Sequence, residues 1–116
     1  MKDMNDKERQ LLRIVECVVQ ACATQVDDMG TMSLTKEDVL GKSRAENVVM
    51  TRCILVSQIV GAGYSTSTAA MLLRRTPQAI RHLLAMSVTY HRSSRAYRIA
   101  EAEATLLCRD VEAGGV

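Results

Sequence analysis

Tryptophan and phenylalanine are absent from this chain, and its aromatic side chains are limited to Tyr64, Tyr90 and Tyr97. A core built around large rings is therefore excluded. Seven Met, with many Val, Leu, Ile and Ala, must fill the interior, and such slim side chains suit helices packed on helices. Proline occurs once, at Pro77, so little interrupts a helical backbone. No segment alternates apolar and polar residues for long enough to make a strand. The four cysteines, Cys17, Cys22, Cys53 and Cys108, include no Cys-x-x-Cys pair and match neither zinc-finger nor disulfide spacing. Each lies among aliphatic residues and reads as a reduced, buried thiol. The N-terminal residues contain no apolar signal segment, and the longest apolar stretch, Val48–Val60, is broken by Arg52, Ser57 and Gln58. It is too short to span a bilayer, so the expectation is a cytoplasmic protein with no membrane partner.

A further absence concerns charge of one sign. No carboxylate side chain occurs between Glu46 and Glu101, while that window holds Arg52, Arg74, Arg75, Arg81, Arg92, Arg95 and Arg98. The net charge of +2 conceals this split. Residues 1–46 carry an excess of acids, and residues 101–116 turn acidic again. An all-basic middle segment points to a polyanionic partner, most simply DNA.

What is present is a succession of helices in one domain of 116 residues. Asn5-Asp6-Lys7-Glu8 resembles a capped helix start, opening an N-terminal helix over 5–28 whose apolar positions include Leu11, Leu12, Ile14, Val15, Val18, Val19, Cys22 and Val26. That face is wider than a one-sided surface helix needs. Either other helices wrap it, or it pairs with a second copy in a homodimer. Asp27-Asp28-Met29-Gly30 ends it. Thr35 caps a short helical turn ending at Gly41. Lys42-Ser43-Arg44 forms a small basic loop before a helix over 45–60, which Gly61-Ala62-Gly63-Tyr64 breaks. Ser65 or Ser67 caps a helix reaching Leu73, and Arg74-Arg75 form a turn. Thr76 as N-cap and Pro77 as first helical residue open the next helix, to about Tyr90. Ser93-Ser94 precede a last helix over about 95–111, and Gly114-Gly115 follow it. The domain thus divides into the N-terminal helix 5–28, a core 34–92 and a C-terminal segment 93–116.

Residues 68–84 carry the spacing of a helix-turn-helix. Ala69 and Ala70 are small where two helices cross, and Leu73, Ile80 and Leu83 stand where apolar anchors are needed. The second helix leaves Thr76, Gln78, Arg81 and His82 free to enter a major groove. Gln pairs bidentately with adenine and Arg with guanine. Arg74 falls where such turns commonly use Gly in a left-handed conformation, and Arg75 where they bury Val or Ile; both are read as facing phosphates. Arg52 is either a DNA contact or a buried ion-pair partner of Glu16 or Glu46. Tyr90, His91, Arg92, Arg95 and Tyr97 form either a second phosphate-facing edge or a solvated loop. His82 and His91 have no further ligand at metal spacing, so neither metal nor cofactor is expected.

The segment from Leu34 to about Leu84 resembles the C-terminal DNA-binding domain of the bacterial replication initiator DnaA. The likeness rests on Glu37-Asp38-Val39-Leu40-Gly41-Lys42-Ser43-Arg44, similar to that family's short helix and basic loop. Thr51-Arg52-Cys53-Ile54 is similar to the Ala-Arg-x-Ile of its long helix, and the helix-turn-helix follows at nearly the family's distance. The resemblance implies an all-α, Trp-repressor-like bundle. It further implies that Arg44 enters a minor groove, that Arg52 touches phosphate and that Lys42 is a backbone contact. The sequence departs from the family at Thr76-Pro77-Gln78-Ala79, where the family has Asp-His-Thr/Ser-Thr, so its origin-box specificity is not carried over. No Gly-x-x-x-x-Gly-Lys-Ser/Thr loop is present, which excludes a full initiator.

The expected function is sequence-specific double-stranded DNA binding without catalysis, as a transcription regulator or an accessory protein of replication or a mobile element. The expected contacts are Lys42, Arg44, Arg52, Arg74, Arg75, Thr76, Gln78, Arg81 and His82. The alternative is a non-catalytic adaptor whose apolar N-terminal helix binds a protein partner. A Trp-repressor-like corepressor has no pocket specified by these residues.

Overall fold

A computed structural model describes the backbone of residues 6–28 and 34–114 and the side chains of 6–23 and 34–109. Over these residues the chain is all-helical, with six helices and no strand: α1 (Asp6–Asp28), α2 (Lys36–Leu40), α3 (Glu46–Gly61), α4 (Thr66–Leu73), α5 (Pro77–Ser93) and α6 (Arg95–Gly114). The expected cap at Asn5, and the residues Met29, Gly30 and Gly115 at the expected helix ends, lie outside the described residues.

Local chemistry accounts for the helix starts. Thr35 accepts from the Asp38 N–H while the Asp38 carboxylate accepts from the Thr35 N–H, a reciprocal capping box. Ser65, and not Ser67, caps α4 by accepting from the Thr68 N–H. Thr76 caps α5 in the same way, accepting from Ala79, with Pro77 at the first position. Ser94 accepts from the Tyr97 N–H at the start of α6.

Helix α3 is the hub. Val48, Thr51, Arg52, Cys53, Ile54, Leu55, Val56 and Ile59 are all buried, a nearly continuous set that a helix carries when others surround it. It touches α1, α2, α4, α5 and α6. The broad apolar face of α1 finds its cover within the same chain. Leu11, Ile14, Val15, Val18, Ala21 and Cys22 are buried, and α6 and α3 are its main neighbours. Lys7, Glu8, Arg9, Arg13, Glu16 and Gln20 face outward. Of the two alternatives for this face, cover by other helices is the one found: α6 supplies Tyr97, Ala100, Ala104 and Cys108 to the core.

The segment around Tyr90 is not a loop, because α5 runs on to Ser93 and α6 begins at Arg95. Tyr97 is fully buried, and Tyr90 stacks on it at 5.5 Å between ring centroids. His91 meets the Glu101 carboxylate at 2.8 Å. Only Arg92 and Arg95 of that group keep exposed cationic side chains. No helix among the described residues is long and apolar enough to cross a membrane. No disulfide joins Cys17, Cys22, Cys53 and Cys108, and the last three are buried.

Candidate nucleic-acid interface

Helices α4 and α5 form two packed helices joined by Arg74-Arg75-Thr76. Ala69, Ala70, Leu73, Ile80 and Leu83 are all buried, so the five small and apolar positions chosen from the sequence make the junction. Arg74 adopts the left-handed conformation (φ 54°, ψ 47°) that this turn commonly gives to Gly. Its N–H donates to the carbonyl of Met71, and the Arg75 N–H donates to that of Ala70, closing the last turn of α4.

Burial of Ile80, Leu83 and Ser87 fixes which way α5 faces. The opposite stripe, Gln78, Arg81, His82, Ala85, Thr89 and Arg92, is exposed along its whole length. Gln78, Arg81 and His82 were expected there. Ala85, Thr89 and Arg92 in the next two turns were not assigned to the reading face. Their signal was available in the sequence, because they continue the three-to-four-residue spacing of Gln78 and Arg81. A small residue at 85 lets the helix backbone approach closely, and the methyl groups of Ala and Thr suit contact with the thymine methyl.

The basic loop lies beside this unit. Lys42 and Arg44 are exposed. Among the described residues, no hydrogen bond or ion pair within the chain engages the side chains of Lys42, Arg44, Arg74 or Arg81. The loop is tied to the helix-turn-helix by Arg75, whose guanidinium donates to the Leu73 carbonyl and to the Gly41 carbonyl, each at 2.8 Å. Arg75 is thus half-buried at the position where an apolar residue is usual, and part of its donor capacity is spent inside the protein.

Arg52 requires a larger correction. It is 4 % exposed, and its guanidinium donates to four carbonyls, those of Val39 (2.8 Å), Ser43 (2.5 Å), Asp38 (3.1 Å) and Gly41 (2.9 Å). It pairs with neither Glu16 nor Glu46, and it does not reach the surface to meet a phosphate. Its role is to satisfy carbonyls left open at the end of α2 and in the loop behind it. Burial, and secondarily the charge of Arg75, hold its pKa below the ordinary arginine value. The guanidinium nonetheless stays charged.

No group of three or more His, Cys, Asp or Glu side chains that could hold a metal is found among the described residues. No family model, no curated protein and no solved structure matches this chain.

Proposed function

We propose that this protein binds double-stranded DNA in a sequence-specific manner, inserting the N-terminal turns of α5 into a major groove while Lys42 and Arg44 grip the adjacent backbone or minor groove. The observation that carries this reading is a juxtaposition. The hydrogen bond from Arg75 to Gly41 sets the basic loop against the turn that launches α5, so two exposed cationic elements lie side by side with no protein partner between them. The exposed Gln78 and Arg81 have the donor and acceptor patterns that discriminate adenine and guanine. The Trp-repressor-like, DnaA-like arrangement of a short helix, basic loop, long helix and helix-turn-helix belongs to this proposal. So does a non-catalytic role in transcription regulation or as an accessory to replication or a mobile element. Thr76 and Arg74 flank the entrance and complete the contact set with His82. The packing of α6 and α3 on the apolar face of α1 favours this reading over an adaptor built on that face.

Selection from random duplexes followed by affinity measurement at two salt concentrations tests the proposal. Gln78→Ala and Arg81→Ala each relax preference at one base pair, by about 1–3 kcal/mol. Lys42→Ala and Arg44→Ala weaken binding across sequences, each lowering the salt slope by about one. Duplex affinity that none of the four substitutions alters would overturn it.

A further inference from the structure

Two guanidinium groups from different elements converge on one backbone oxygen. Arg52 of α3 and Arg75 of the turn before α5 both donate to the Gly41 carbonyl, at 2.9 and 2.8 Å. A carbonyl has two lone pairs and can accept both. Among the described residues, no carboxylate forms an ion pair with either of these like charges. The compensation is supplied by carbonyls: Arg52 also donates to Val39, Asp38 and Ser43, and Arg75 also to Leu73. Gly41 itself sits close against the preceding turn. A Cβ there would lie 2.8 Å from the Glu37 carbonyl oxygen, a backbone atom that cannot swing aside.

The two bonds do different things. Arg52 links the loop to the central helix, which would define the loop's shape in any folded state. Arg75 links the same atom to the α4–α5 turn, and so sets the distance between Lys42 and Arg44 on one side and the first turn of α5 on the other. We infer that Arg75 is a positioning residue that locks the basic loop in register with the recognition helix, so that a duplex meets both at once. The inference rests on the DNA-binding reading above. A contact held in register contributes fully to affinity, whereas a cation on an untethered loop loses much of its contribution to the freedom it must surrender on binding.

A coupling experiment on the full chain tests this, with Arg44→Ala as the probe in three backgrounds: the unaltered chain, Arg75→Met and Gly41→Ala. Arg75→Met keeps the apolar stem and removes the tie. Gly41→Ala keeps every cation and displaces the shared carbonyl, so it separates loss of register from loss of a charge that meets DNA directly. Circular dichroism establishes that each variant is folded, and either background suffices if the other is not. In the unaltered chain Arg44→Ala lowers duplex affinity about tenfold. In the two altered backgrounds the same substitution is expected to change affinity less than about twofold, because the Arg44 contribution is already lost. A merely structural role for Arg75 would weaken binding without changing the factor that Arg44 contributes. An equal Arg44 factor in all backgrounds therefore overturns the inference and leaves DNA binding intact. Absence of salt-dependent duplex binding by the unaltered chain overturns both.

Discussion

Arg74 carries a full side chain through a left-handed turn, at φ 54°, where a Cβ is crowded by the following carbonyl. Arg74→Gly is expected to raise stability by about 1 kcal/mol, read as a higher urea midpoint. The same substitution lowers duplex affinity and reduces the salt slope by about one, because an exposed cation is removed. Opposite signs in the two assays would explain why strain is retained at this position. Arg52 presents the reverse case, a cation whose value is internal. Arg52→Met keeps the stem but strands four carbonyls, and a loss of about 3 kcal/mol is expected in thermal or chemical unfolding. The sequence showed Arg52 among apolar neighbours, which was enough to suggest burial. It did not show the partners, because the open carbonyls of an irregular loop leave no residue-type signature. Arg75 was legible as an anomaly, a cation at an apolar position, and its resolution lies in Gly41, a residue 34 positions away.

At the level of elements, helix starts were the most readable feature. Thr35, Ser65 and Thr76 each act on an N–H three residues along, so the information is contained within one turn of chain. The outward stripe of α5 follows from the same kind of local rule once Ile80, Leu83 and Ser87 define the buried side. Its full extent leads to a prediction for a residue that has no charge. Ala85→Glu places a carboxylate midway along the stripe, and duplex affinity should fall about a hundredfold, since like charges brought face to face cost several kcal/mol. Because Ala85 is exposed, stability should change by less than about 0.5 kcal/mol. Unaltered affinity would place that part of α5 outside the groove.

Across the whole molecule, the pairing of α1 with α6 was not legible. The width of the apolar face on α1 required a cover, but nothing in the local pattern distinguished a helix some eighty residues later from a second chain. The core that results is aliphatic, with thiols sealed into it. Burial pushes the pKa of Cys22 and of Cys53 up to about 11, and burial followed by the nearby Glu101 raises that of Tyr97 as well. In the unfolded chain a thiol titrates at its ordinary value of 9.0. The thiols' contribution to stability is therefore complete below that pH and is lost as pH rises toward 11, with each unit of separation worth about 1.4 kcal/mol. Unfolding free energies at pH 7, 9 and 10.5 at constant ionic strength should fall in that order, and a flat profile would contradict the burial of these groups.

The seam between α1 and α6 also orders events in time. Val15 and Val18 of α1 share one core with Ala100 and Ala104 of α6, and α6 is the main neighbour of α1, so during synthesis the first helix leaves the ribosome with much of its greasy side bare and stays so until α6 follows. For that interval the nascent chain is a natural client for a chaperone, and stalling translation anywhere before Ala100 should leave a polypeptide that proteases cut readily within α1.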